Sequence, residues 1–295
     1  MEVQPPCLGS DCVVDAHLDP IAVQASKLGI GSIDLPPRLL LQTSPESAMK
    51  RMLAAGAPAI YSIGPVFRAG EHSRLHNAEF TMLEWYDVPA DLADGIELLG
   101  QLACEVLQDN VLDYEVANYR DVFRQHVGLD PLKGSLNDLA AKIHKRAPEL
   151  ATTLATDRDG MLEYLMSEFV QPELGRDKPT VIKNYPLSQA ALANVAEDDP
   201  ECAARFESFA SGLELANGYA ELTEPDVFLQ RAKQQNEQRL TLGKEPLLAE
   251  SKLYKAMCDG LPKSCGVALG VDRLLMLVVG AESIADVIPI TMERC

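Results

Sequence analysis

Positive charge is scarce in this chain. Lys and Arg together number 26 against 44 Asp and Glu, a formal net charge of -18. Nonspecific nucleic-acid binding comes mainly from Lys and Arg neutralising phosphates, so this surface would repel a polyanion over most of its area. Nucleotide contacts are therefore expected to be local, and the acidic excess suits a cationic substrate. Cysteine pairing is missing as well. Cys7, Cys12, Cys104, Cys202, Cys258, Cys265 and Cys295 are odd in number, scattered and free of any CxxC pair, which signals neither a zinc site nor a disulfide framework. They read as reduced thiols. No basic start leads into a continuous apolar stretch, and the most apolar late segment, "GVALGVDRLLMLVVG", carries Asp272 and Arg273 in its middle. The expectation is a cytoplasmic protein with no leader and no membrane partner. Repeats of fixed period and low-complexity runs are absent too. What is present is ample apolar material: 295 residues at 47% hydrophobic content can bury a large core.

Helical and strand-like segments alternate along the chain, separated by Pro and Gly, so a mixed α and β (α+β) fold is expected. "TSPESAMKRMLAAG" predicts a short helix with Ser44 as N-cap, Pro45 at the first helical position, Met49, Met52 and Leu53 on one face, and a stop at Gly56. "AIYSIGPVFR" and "AEFTMLEWYDV" predict an antiparallel hairpin joined by polar residues 69 to 76. Further helices are predicted for "DLADGIELLGQLACEVLQ", for "SLNDLAAKI" with its Ser135 and Asp138 cap pair, for "RDGMLEYLMSEFV" and for "PDVFLQRAKQQNEQRL". "PTVIKNY" and "RFESFASGLELANGY" read as strands, and "CGVALGV" reads as a strand feeding the helix "DRLLMLVVG", which Gly280 ends.

Three stretches carry candidate chemistry. In "AEFTMLEWYDV", residues two apart share a face, so Phe80, Met82, Glu84 and Tyr86 point one way. A carboxylate among bulky apolar residues is costly to bury without a cation; a ligand ammonium could supply one, or Glu84 faces solvent or pairs with an Arg from elsewhere in the fold. In "GLELANGYAELTEP", Gly212, Glu214 and Ala216 share a face, Asn217-Gly218 is a turn signal, and Glu221 follows. Glu214 and Glu221 could hold Mg²⁺ with substrate phosphates, or simply face solvent. In "GVALGVDR", small residues allow close backbone approach, and Arg273 in the first turn of a helix opposes the macrodipole unless a bound anion offsets both.

Taken together and in this order, these stretches resemble the class II aminoacyl-tRNA synthetase catalytic core. "FRAGEHSRLHNAEFTMLEWY" is similar to its motif 2 and "GVALGVDRLLML" to its motif 3. "TSPE", "HNAEFTMLEWY" and "ELANGYAEL" are similar to the lysyl-tRNA synthetase branch. The anticodon-binding barrel of bacterial lysyl-tRNA synthetases is not found ahead of "MEVQPPCLGSDCVVDAHLDPI", nor is the long helix that opens motif 1. The expectation is one catalytic domain over residues 1–295, a homodimer if that helix is present. The closest resemblance is to free-standing lysyl-synthetase paralogues that attach a β-lysyl group to a lysine of elongation factor P, with which Ala268 agrees where lysyl-tRNA synthetases carry Gly.

The resemblance implies that Arg68 and Arg273 are catalytic, Arg68 binding the ATP α-phosphate and Arg273 the far end of the triphosphate. Glu71, His76, Asn77, Glu214, Leu215 and Gly270 would complete the ATP site. Ser44, Glu46, Glu84, Tyr86 and Glu221 would hold lysine or (R)-β-lysine, with Mg²⁺ on Glu214 and Glu221. Two departures stand in motif 2: Glu71 lies three residues after Arg68 where lysyl-tRNA synthetases place their Glu two after, and Ala78 replaces the usual Pro. The implied activity is ATP-dependent activation of the amino acid as an adenylate and transfer to elongation factor P. Stable tRNA binding is not expected of so acidic a chain. The alternatives are a transferase acting on tRNA or a small acceptor, and a noncatalytic paralogue that only binds a partner.

Overall fold

In the computed structural model, residues 1–29, 36–107 and 113–295 are described. Their contacts divide the chain into two units, Met1–Asp91 with Glu221–Cys295, and Leu92–Ala220. The first unit opens with β1 (Leu8–Gly9), β2 (Ala22–Gln24), β3 (Arg38–Leu41), α1 (Glu46–Ala54), β4 (Ile60–Phe67) and β5 (Glu79–Asp87). The second unit contains α2 (Leu92–Leu107), β6 (Glu115–Asn118), α3 (Tyr119–Val127), α4 (Leu136–His144), α5 (Pro148–Thr153), α6 (Arg158–Leu165), β7 (Thr180–Pro186), β8 (Cys202–Ala210) and β9 (Leu213–Ala220). The chain then completes the first unit with α7 (Pro225–Thr241), α8 (Lys252–Asp259), β10 (Cys265–Gly270) and α9 (Val271–Val279). Mixed α and β structure is thus what forms, with antiparallel pairing dominant.

In the first unit β5 lies between β4 and β10, antiparallel to both, so Ile60 and Gly266 flank Tyr86, and Ser62 and Ala268 flank Glu84. The predicted hairpin is present. Helix α1 is also present, with Met49 and Leu53 fully buried, but its start differs from expectation. Pro45 takes the cap position, its carbonyl accepting from the Ala48 and Met49 amides, and no side chain caps the helix. Ser44 is not the N-cap, because the proline ring fixes the turn one residue later than the hydroxyl would. Strand β10 runs directly into α9, which Gly280 closes in the left-handed region as the sequence indicates.

The second unit orders its strands β9-β8-β7-β6, antiparallel except for the parallel β6–β7 pair. Tyr119 and Phe123 of α3, Leu139 and Ile143 of α4, and Leu162 and Leu165 of α6 share one apolar cluster. The Ser135–Asp138 capping box forms in both directions. The segment predicted as one helix over 158–170 is α6 followed by a π turn at Met166–Val170. The helix predicted to end at Gln108 is α2, and Gln108 lies outside the described residues.

One turn signal misleads. Asn217 and Gly218 do not turn; they lie inside β9, paired with Glu207 and Phe206 of β8. The chain reverses at Ser211 and Gly212, both with positive φ. Gly218 serves instead as the seat of the Phe206 ring, which a Cβ at that position would overlap. An extra residue at Leu215 also bulges β9, since Glu214 pairs with Phe209 and Ala216 with Ser208. Gly218→Ala is expected to destabilise the protein by about 1–3 kcal/mol through overpacking, read as a lowered urea midpoint.

Candidate active site

The first unit buries a cluster of charge beneath its sheet. On β5, Glu84 and Tyr86 share a face as the alternation requires, and the Tyr86 hydroxyl donates to Glu84 Oε1 at 2.6 Å. Glu84 Oε2 is buried with no hydrogen-bond partner. Burial, reinforced by the nearby charge of Glu46, pushes the Glu84 carboxyl up to about 8, with Tyr86 and Lys50 pulling the other way. Glu221, just past β9 in sequence, is also buried, and its carboxylate is in contact with the Lys50 ammonium. Lys50 reaches back one helical turn to Glu46 Oε1 at 2.6 Å. Burial pushes Glu221 up to about 7 against the pull of Lys50. Burial alone would lower Lys50, but Glu221 and Glu46 more than offset it and hold the ammonium above the usual lysine range. Gly266, directly across from Tyr86, makes this closeness possible, because a Cβ there would overlap Glu221 Oε1 and the Tyr86 ring. Ser44 sits half-buried two residues before Glu46.

The same unit carries the cationic groups. Arg68, at the exit of β4, donates through Nε to the Thr43 carbonyl at 3.3 Å, lies 5.0 Å from the Phe80 ring centroid, and forms a long ion pair with Glu71 at 3.6 Å. Its main chain is held on both sides: the Arg68 amide donates to Ala78 O and the Ala69 amide to Asp19 O. Asp19 is itself gripped by the buried Arg239 and by Lys244. Arg273 on α9 donates to His76 Nε2 at 2.6 Å, and Ser73 Oγ lies 2.8 Å from His76 Nδ1. Arg can only donate, so Nε2 accepts and Nδ1 carries the proton toward Ser73. Burial first, then the Arg273 charge, lowers the His76 pKa and keeps the ring neutral. Asp272, beside Arg273, accepts from the Thr81 amide at 2.6 Å and ties α9 to β5. Asn77 is buried and spends its side chain on the backbone, donating to Glu79 O and accepting from the Met292 amide. Gly270 caps α9 with extended backbone.

Glu214 belongs to the second unit, where it lines a cavity of about 200 Å³ together with Tyr119, Tyr185, Arg205 and Glu207. Glu207 is held from two sides, by the Tyr185 hydroxyl at 2.6 Å and by Arg205 at 2.6 Å. The Tyr119 hydroxyl is buried there without a hydrogen-bond partner. Arg205 already supplies the cation Glu207 meets there, and among the described residues no group of three His, Cys, Asp or Glu side chains is placed to hold a metal ion. Leu215 lies in the core.

Sequence reasoning did not single out Lys50, Glu207, Gly266 or the Asp19–Arg239–Lys244 clamp. Lys50 follows Glu46 at helical i,i+4 spacing, a signal that ordinarily marks an exposed pair. Glu207 precedes Glu214 by seven residues in a strand rich in aromatics, and only its burial sets it apart.

The geometry can be set beside known proteins. Residues 1–294 match the family described as tRNA synthetases class II (D, K and N). The elongation factor P–(R)-β-lysine ligase of an Enterobacter species is 40% identical over 299 aligned residues, covering 100% of this chain and 89% of that protein. The protein of the same name from Yersinia pestis is 41% identical over 291 residues, covering 98% and 87%. That of Erwinia tasmaniensis is 40% identical over 299 residues, covering 100% and 89%. This chain therefore belongs to the class II tRNA synthetase family, in the group formed by the elongation factor P–(R)-β-lysine ligases.

Proposed function

We propose that the protein is a cytoplasmic ATP-dependent ligase. It activates (R)-β-lysine, or lysine, as an aminoacyl adenylate and transfers it to a lysine side chain of elongation factor P. The observation that carries this reading is the buried acidic cluster of Glu84, Glu221 and Glu46 with Tyr86, in the same unit as Arg68 and Arg273 and suited to an amine. We read the whole chain as one catalytic domain, a reading supported by the family match over residues 1–294.

In the first step the amino-acid carboxylate attacks the α-phosphorus and pyrophosphate leaves. Two anions must meet, so the step needs neutralisation and in-line positioning more than acid–base chemistry. Arg68 supplies charge and a planar fork at the α-phosphate, and Arg273, steadied by neutral His76, supplies it at the far phosphates. Glu71 pairs loosely with Arg68 and holds it until ATP arrives, while Asn77, next to His76, ties the start of β5 at Glu79 to Met292. Mg²⁺ would neutralise the triphosphate, with Glu214 the carboxylate that the family resemblance implies for it, whereas we assign Glu221, in contact with Lys50, to the amine pocket. In the second step the acceptor amine, having lost a proton, attacks the adenylate carbonyl, an amide forms and AMP leaves. Homodimer assembly and the absence of stable tRNA binding belong to the same reading.

Intact mass of elongation factor P, after incubation with the protein, Mg²⁺-ATP and either lysine isomer, tests the proposal. A lysyl-sized gain on one lysine is expected, and the faster isomer names the substrate. Charged tRNA with no gain on the factor would replace this reading with tRNA aminoacylation.

A further inference from the structure

The amine pocket contains a cation of its own. Lys50 on α1 has a side chain only 2% exposed, and its ammonium contacts Glu46 and Glu221 and lies 5.9 Å from the Tyr86 ring centroid. The charged and titratable groups around it among the described residues are Glu46 on the same helix, Glu84 and Tyr86 on β5, and Glu221. Glu84 is the carboxylate Lys50 does not contact, and its Oε2 is the buried oxygen left without a donor.

Charge counting gives this arrangement a meaning. Once Glu84 gives up its proton to meet an ammonium, three carboxylates stand against the one ammonium of Lys50 and leave two negative charges. A lysine-type substrate brings two ammonium groups, and its carboxylate goes to the phosphate side. Without Lys50 the pocket would hold three like charges, and buried like charges recruit protons instead of staying ionised. Those protons would compete with the substrate's ammonium groups. A surface lysine could not do this, since water would screen it.

Resting on the reading of this pocket as the amine site, we propose that Lys50 is a positioning residue for substrate. It is a built-in ammonium that holds the Glu46 and Glu221 carboxylates in place, matches the charge of the pocket to a diamine once Glu84 is ionised, and leaves Glu84 to receive an incoming ammonium. Lys50 does not touch the reacting atoms. Its effect is therefore on substrate affinity and not on the chemical step.

The test uses the full chain in amino-acid-dependent ATP–pyrophosphate exchange. Lys50→Met and Lys50→Ala are expected to raise KM for the diamine at least tenfold while KM for ATP stays within twofold. Propylammonium is expected to restore diamine binding to Lys50→Ala, and 1-propanol, the same size without charge, is expected not to. A folded Lys50→Met protein with unchanged diamine KM, or equal rescue by the amine and the alcohol, would overturn the proposal and leave Lys50 a packing residue. Should neither neutral variant fold, Lys50→Arg decides: a diamine KM within threefold of wild type supports the charge role, and a tenfold loss in a folded protein overturns it. Glu84→Gln run alongside separates the two levels. If it leaves diamine KM unchanged, the amine-pocket reading itself fails; if it raises that KM while folded Lys50→Met does not, only the role of Lys50 fails.

Discussion

Arg68→Ala is expected to slow lysine-dependent ATP–pyrophosphate exchange by about 10²- to 10³-fold, the usual loss when a preorganised donor to developing charge is removed. The effect should fall on kcat more than on the amino-acid KM, because the proposed role of the guanidinium is at the α-phosphate, where charge builds up during attack. Arg68→Lys should recover only part of the loss, since an ammonium keeps the charge and loses the bidentate fork. Folding should be nearly untouched. The Arg68 side chain is about a quarter exposed, its bond to the Thr43 carbonyl is long at 3.3 Å and its ion pair with Glu71 longer still at 3.6 Å. Such contacts contribute about 1 kcal/mol or less to stability. Glu71→Gln is the informative companion: a carboxylate that only parks the arginine should change the rate by no more than about threefold. A thermal melt that drops steeply in Arg68→Ala, or an exchange rate that hardly moves, would contradict this assignment.

Much of the architecture was legible because local signals and tertiary demands agree. The β4–β5 hairpin, the Ser135 capping box and the strand-to-helix passage at Gly270 each follow from alternation, cap chemistry or small residues acting over a few positions. Glu84 and Tyr86 were placed on one face by strand geometry alone, and a hydrogen bond joins them. The failures share a physical cause. Asn217-Gly218 has turn chemistry, yet the reversal is made at Ser211 and Gly212, and Gly218 is needed where Phe206 packs across the strand pair. Lys50 looks like half of a surface ion pair, and only the fold closing over α1 reveals that its partner Glu221 comes from 171 positions further along the chain. Long-range burial is invisible to short-range pattern. The burial of Glu207 against Arg205 and of Glu221 against Lys50 was likewise hidden, because these carboxylates are set apart by their neighbours in space.

Glu84→Gln should raise the diamine KM by about 30- to 1,000-fold, the range expected when one partner of a buried, hydrogen-bonded charge pair is removed. The same substitution should make the empty protein more stable at alkaline pH. In the unfolded chain Glu84 ionises near 4.5, whereas in the fold its proton is retained up to about 8. Between those values the native state holds a proton that the unfolded state has lost, so stability falls as pH rises through the window and levels off above it. Gln cannot ionise, and Glu84→Gln should flatten that slope. Saturating lysine should restore the wild type at pH 8 and above by binding only the folded state, and should do little for the variant. For the wild type, diamine affinity should improve by up to about tenfold per unit as pH climbs toward 8, because ammonium binding must displace the Glu84 proton. Melting curves across pH, with and without lysine, read both effects together. A wild-type slope that survives in Glu84→Gln would assign the titration to Glu221 instead, the other carboxyl of the pocket that burial pushes upward. A carboxylate that costs the fold stability above its folded pKa while gaining a cation on binding is the trade between stability and function that the proposed role of Glu84 requires.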